Sequence, residues 1–82
     1  MTEFPRSTAA TVRNLVVASY GQGVTLWIYR HEGPLIDGLM LDFSGCRTMF
    51  QPYDPIYIRG TDGGAMRCIK LAEASAVLAP LQ

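Results

Sequence analysis

The chain has 82 residues, of which 49% are hydrophobic and 17% charged, and its seven basic and seven acidic residues give a formal net charge of zero. This length predicts a single domain, because two halves would each be too small to bury a useful core. A zero net charge argues against a typical duplex-DNA binder, so any nucleic-acid site must be local. The large apolar fraction in so short a chain favours self-association.

The N-terminal segment predicts a helix from about residue 8 to residue 20. Ser7 and Thr8 are good N-cap residues, and the apolar residues that follow them recur at helical spacing. Gly21 then supplies a C-terminal stop. We expect the apolar stripe of this helix to pack against the rest of the domain.

The remainder of the chain predicts about five short strands separated by turns. Side chains alternate in VTLWIY (24–29) and in LIDGLMLDF (35–43), and a Gly-Pro turn joins the two runs. Gly38 inside the second run indicates a sharp bend. Further strands are predicted at about 46–51, 65–71 and 76–79, and a short β-rich run at 56–58 is assigned to an elaborated loop or an extra hairpin.

Together these elements predict a mainly β domain that covers residues 1–82. The N-terminal α-helix is followed by a small, five-stranded, strongly bent antiparallel barrel of SH3-like or OB-like type over about residues 23–80. Closure into a barrel removes most free sheet edges, which would otherwise pair with other chains.

The order of these elements resembles the Sm/LSm family, and most closely its bacterial RNA-chaperone branch, Hfq. The resemblance rests on an aromatic strand that ends at Tyr29, a turn glycine at Gly33, a strand-bending glycine at Gly38, and Phe43 before the next loop. The last segment, MRCIKLAEASAVLAP, is similar to the family's final two strands. The resemblance implies an Sm-like barrel that assembles into a cyclic homo-oligomer and binds single-stranded RNA in RNA processing or metabolism, with single-stranded DNA open as a second ligand.

The same resemblance implies RNA-binding residues on two faces of the ring. Arg47 lies in the loop that matches the family's pore-side RNA loop, although it also fits a solvated turn. Tyr29 matches a tyrosine of the opposite, purine-binding face, and packing in the interior is the alternative. The implied pore-side residues are Ser44, Arg47, Thr48, Arg59, Gly60 and Lys70, and those of the opposite face are Tyr29 and Asp37.

No catalytic set is visible, and we expect no enzyme activity. The chain has one histidine, scattered acidic residues, and neither a P-loop nor a Gly-x-Ser-x-Gly motif. No nucleophile with a neighbouring base is therefore visible. Cys46 and Cys68 lie far apart without a Cys-x-x-Cys pair and predict buried thiols, so neither a metal nor a cofactor is expected. With no signal-peptide pattern and no membrane-length apolar run, the expected location is the cytoplasm.

A second class of function stays open. The same barrel would serve an SH3-like interaction or structural subunit that binds protein within a larger assembly and has no affinity for nucleic acid. Salt-dependent binding of short RNA by a closed homo-oligomer would distinguish the first function. A stable apolar patch that another polypeptide covers would distinguish the second.

Overall fold

The computed structural model describes residues 9–81, which form a mainly β domain. Five strands make one mixed sheet in the order β1-β2-β3-β4-β5. Neighbouring strands are antiparallel except β2 and β3, which are parallel. The strands are β1 (Leu15–Gly21), β2 (Val24–Arg30), β3 (Pro55–Gly60), β4 (Gly63–Leu71) and β5 (Ala76–Ala79), and the helical segments are a short helix α1 (Leu35–Gly38) and two 3-10 helices, Val12–Asn14 and Ser44–Met49.

The strand β1 occupies the second part of the segment where we expected the N-terminal helix, from Leu15 onward, and the prediction of that helix is wrong over the described residues. Val12–Asn14 forms a single 3-10 turn, and β1 then pairs with β2. Val16 and Val17 are β-branched and favour extended backbone, and pairing with a neighbouring strand outweighs the helical spacing of the apolar residues. The expected N-cap residues, Ser7 and Thr8, lie outside the described residues.

The segment between β2 and β3 is a crossover, and the strands predicted at 35–43 and 46–51 are wrong. Parallel strands cannot be joined by a tight turn, so the chain must return along the sheet before β3 begins. It does so through α1 and the Ser44–Met49 helix. The run at 56–58, expected in a loop or an extra hairpin, belongs to the central strand β3, and the predicted antiparallel sheet is therefore mixed.

The core lies between the crossover and one face of the sheet. Tyr29 of β2 packs edge-to-face on Phe43 of the crossover, with ring centroids 5.1 Å apart, and Trp27 packs in the same way on Phe50 at 5.0 Å. The Trp27 Nε1–H donates a hydrogen bond of 3.0 Å to a buried carboxylate oxygen of Asp54. The other core residues include Leu15, Leu41, Cys46, Ile56, Ile58, Ile69 and Ala76.

Asp42 and the residue after it connect the segment that precedes β1 to the last strand, β5. The Asp42 carbonyl accepts a 2.9 Å hydrogen bond from Ala10 N–H, and the next residue, Phe43, donates one of 2.9 Å to the Ala76 carbonyl. Asp42 thus forms two isolated β-bridges, a parallel one with Ala9 and an antiparallel one with Val77. Ser44 donates from its backbone and its hydroxyl to the Asp42 carboxylate, and these hydrogen bonds hold the pKa of that carboxyl below its usual value.

Candidate functional site

An open cavity of about 520 Å³ lies where β2 and β3 end, beside the 3-10 turn that precedes β1. Three different elements supply its arginines: Arg13 from the 3-10 turn, Arg30 from the last position of β2 and Arg59 from β3. Glu32 contributes the single carboxylate of the lining. The cavity is thus rich in guanidinium groups although the whole chain has no net charge.

Arg30 and Arg59 are neighbours because β2 and β3 are parallel and in register at these residues. Both are exposed. Like charges that face each other across strands destabilise a sheet, so a neutral or acidic residue at one of the two positions would make the sheet more stable. Two like charges in register go against this pairing preference, and departures of this kind are typical of functional sites.

The cavity arginines are not used to hold the fold together. The arginine side chains that donate hydrogen bonds within the described part of the chain are Arg47 and Arg67, both to backbone carbonyls. Arg13, Arg30 and Arg59 have neither such a hydrogen bond nor an ion pair among residues 9–81. Their donors are therefore available to a ligand that carries negative charge.

Close backbone contacts fix the rim of the cavity. The Thr61 N–H donates to the Gly33 carbonyl at 2.8 Å, and the Leu35 N–H donates to an Asp62 carboxylate oxygen at 2.8 Å. Gly60 lies so close to this loop that a Cβ on it would be 2.5 Å from the Leu35 nitrogen. The loop after β2 is therefore held tightly against the turn between β3 and β4.

The two glycines that carry the family resemblance lie around a histidine of this rim. A Cβ on Gly33 would be 3.0 Å from His31 Nε2, and a Cβ on Gly38 would be 3.1 Å from His31 Cβ. Gly33 is in the loop and Gly38 is in α1, so neither bends a strand. Membership of the Sm/LSm family stays a prediction.

Several of the predicted site residues make contacts that stabilise the fold. The Arg47 guanidinium donates from Nε and Nη2 to the Ala72 carbonyl, at 2.9 and 2.6 Å. The Ser44 hydroxyl accepts a 3.2 Å hydrogen bond from Ala76 N–H, which attaches the crossover to β5. Tyr29 is buried, and its hydroxyl accepts a 3.0 Å hydrogen bond from Thr11 N–H.

The other predicted residues divide between the cavity and the remaining surface. Arg59 and Gly60 line the cavity, whereas Thr48, Asp37 and Lys70 are exposed elsewhere. The structure does not bring the predicted set together at one place. Sequence reasoning missed Arg13 and Arg30 as site residues, and the one available signal was that an arginine follows each of two β-rich runs, 24–29 and 56–58.

An apolar row starts in the cavity and crosses the outer face of the sheet, which is the face opposite the core. Val16, which lines the cavity, pairs with Ile28, and Ile28 is in register with Tyr57 and then Met66. The crossover covers only the core side, so this row stays partly exposed. Arginines and an apolar surface therefore adjoin on one side of the molecule.

Residues 9–81 contain no group of three His, Cys, Asp or Glu side chains that could hold a metal ion. In the same range, no helix has the length and apolar character needed to cross a membrane. Cys46 and Cys68 are buried free thiols, as predicted, and burial raises the pKa of the Cys46 thiol.

Neither a protein-family model, nor a curated protein, nor a solved structure matches this chain.

Proposed function

We propose that this protein binds single-stranded nucleic acid, in the first place RNA, through phosphate groups that enter the arginine cavity. The in-register pair of Arg30 and Arg59 carries the proposal, since with Arg13 it offers three guanidinium groups that form no ion pair with an acidic side chain of the described residues. The planar guanidinium fork matches the oxygens of a phosphate and binds them through two parallel hydrogen bonds.

The surroundings of the cavity favour a single strand over a duplex. Duplex binding relies on an extended basic surface, and this chain has as many acidic as basic residues. Proteins that bind single strands combine a positive groove with aromatic side chains on which unpaired bases stack, and Tyr57 is such a residue in the apolar row. The apolar row from Val16 to Met66 adjoins the arginines in this manner.

The proposal includes self-association into a cyclic homo-oligomer. Among the described strands, β1 lies at the edge of the sheet and pairs with β2 alone. Its seven residues carry no charge, and an uncharged edge strand offers unpaired N–H and C=O groups to another chain. A head-to-tail contact between copies that closes into a ring, with the sheet curled into an Sm-like barrel, would repeat the arginine cavity around one axis.

Binding of labelled oligonucleotides tests the proposed function. In a polarisation titration with oligo-U and oligo-A of about 12 nucleotides, we expect affinity to fall steeply with added salt, because each phosphate contact contributes a salt slope of about 0.7. Arg59→Ala should weaken binding and reduce that slope. Lys70→Ala, which removes an exposed cation outside the cavity, is the matched control and should have little effect. Absence of binding by the unmodified protein at low salt would contradict the proposal.

A second candidate function is that of a protein-binding subunit. It is favoured by large apolar side chains on β1 and at the start of β2, where Val16, Val17, Tyr20 and Val24 are each at least half exposed. Light scattering separates the two functions when it is combined with the titration. A ring that binds oligonucleotide fits the first, and a monomer that binds none at low salt fits the second.

A further inference from the structure

Resting on the proposed function, we infer that the ligand unit of this site is one nucleotide, whose phosphate contacts Arg30 and Arg59 and whose base stacks on Tyr57. A nucleoside monophosphate is then the smallest ligand that uses the whole site. Tyr57 does not belong to the cavity lining and was not among the residues expected from the sequence.

The spacing on β3 places the two kinds of contact on the same face. Tyr57 and Arg59 are two residues apart on one strand, so their side chains point to the same side and their Cα atoms are about 6.8 Å apart. A phosphate and the base of the same nucleotide are separated by a single sugar, and this spacing suits that separation. The parallel register then places Arg30 beside Arg59, so that two guanidinium groups face the phosphate.

Gly64 allows the Tyr57 ring to lie across the neighbouring strand. A Cβ on Gly64 would overlap the Tyr57 hydroxyl and Cζ, so the ring occupies the space that any other residue would fill. Gly64 is the register partner of Arg59, and the ring therefore extends toward the arginine end of the sheet. The Tyr57 side chain is only half-buried, so part of its surface is accessible to a ligand.

The neighbours of Tyr57 suit an uncharged base. Ile28 and Met66 flank it in register on the two adjacent strands, and neither carries charge. The Tyr57 hydroxyl has no hydrogen-bond partner in the described part of the chain, so no internal contact requires it. Stacking on an aromatic ring accepts every base, because every base has a π-face. Recognition by this residue is therefore expected to be tolerant of sequence.

Calorimetric titration of the full chain with adenosine monophosphate, ribose 5-phosphate and inorganic phosphate tests this inference. We expect the nucleotide to bind about 5- to 150-fold more tightly than ribose 5-phosphate, the range that stacking of one base provides. Tyr57→Leu should remove this preference and leave ribose 5-phosphate binding unchanged, and Tyr57→Phe should retain it. Arg59→Ala should weaken all three ligands.

Proton NMR of the bound nucleotide gives a second measurement that does not need a variant. A base stacked on Tyr57 should show upfield ring-current shifts of the adenine protons. Equal affinity for the nucleotide and ribose 5-phosphate without such shifts would overturn the inference, and the proposed function would still stand if oligonucleotide binding depends on Arg59. If neither oligonucleotide nor nucleotide binds, both are overturned.

Discussion

Arg30 and Arg59 lie side by side on the parallel strands β2 and β3, and the N–H that follows Arg30 donates a 2.8 Å hydrogen bond to the Arg59 carbonyl. The backbone thus holds two exposed cations in register. Such an arrangement costs stability relative to an oppositely charged pair, and it lies beside a cavity of suitable size for a small ligand.

Replacing one of these arginines by an acid should therefore raise stability while it removes binding. Arg59→Glu would create a cross-strand ion pair with Arg30 and should raise the free energy of unfolding by about 0.5 kcal/mol. Oligonucleotide binding should be lost in the same variant. Urea unfolding and the polarisation titration measure the two effects. Arg47→Glu is the comparison, and it should lower stability because Arg47 donates to the Ala72 carbonyl.

Removing the carboxylate of the cavity should tighten binding of an anionic ligand. Glu32 lines the cavity with the arginines, and a unit charge about 6 Å from a phosphate repels it by about 0.7 kcal/mol in water. Glu32→Gln should thus improve oligonucleotide affinity about threefold at low salt. Glu73→Gln makes the same charge change at an exposed residue outside the cavity lining and is the control. Equal gains in both variants would show that the effect is not local.

The close approach of Gly60 to the loop after β2 predicts a large effect of a single methyl group. A Cβ at this position would lie 2.5 Å from the Leu35 nitrogen and 2.9 Å from the Gly33 carbonyl oxygen, both of which are backbone atoms. Gly60→Ala should destabilise the fold by about 1–3 kcal/mol in urea unfolding. Gly21→Ala is the matched control, because a Cβ there meets nothing within 4 Å. Similar stability of the two variants would contradict the packing described for this rim.

The buried carboxylate of Asp54 should be important for stability. It accepts hydrogen bonds from the Trp27 indole and from the Gln51 N–H, each at 3.0 Å. Asp54→Ala leaves both donors without that partner and should lower the free energy of unfolding by about 1–3 kcal/mol, whereas Asp54→Asn keeps one acceptor oxygen and should lower it less. Trp27 is the single tryptophan of the chain, so its fluorescence follows the unfolding directly.

Stability should fall in acid because of Asp42. Its pKa is lowered in the folded chain by hydrogen bonds from Ser44, so the unfolded chain takes up the proton at a higher pH than the folded chain does. The contribution of Asp42 is therefore present above the usual carboxyl pKa and is lost as the pH falls through the lowered value. Thermal unfolding of the wild type and Asp42→Asn should differ most near neutral pH. A difference that stays constant down to about pH 2 would contradict this account.

The local part of the fold could be predicted from the sequence. Alternation in 24–29 and in 65–71 identifies β2 and most of β4, and the short run Ala76–Ala79 is the strand β5 as expected. Alternation is a property of neighbouring residues, so it identifies a segment as a strand without information about the rest of the chain.

The arrangement of the strands depends on contacts that alternation does not encode. The segment 35–43 (LIDGLMLDF) has the alternating pattern of a strand, yet it forms α1 and an apolar cover of the sheet. It does so because the parallel pairing of β2 with β3 requires a crossover between them. The candidate site depends on the same pairing. Arg30 and Arg59 are 29 positions apart in the sequence, and only the register of β2 and β3 makes them neighbours.

Mapping bound oligonucleotide on the amide signals of the isotope-labelled protein tests the central claim most directly. If phosphate enters the arginine cavity, adding a short oligo-U should shift the amide signals of the lining residues, which are 13, 14, 16, 30–32 and 59–61. The signals of the Ser44–Met49 helix and of Ala72, whose carbonyl accepts hydrogen bonds from Arg47, should stay in place. Shifts confined to that helix, or no shifts at low salt, would contradict the assignment of the cavity as the nucleic-acid site.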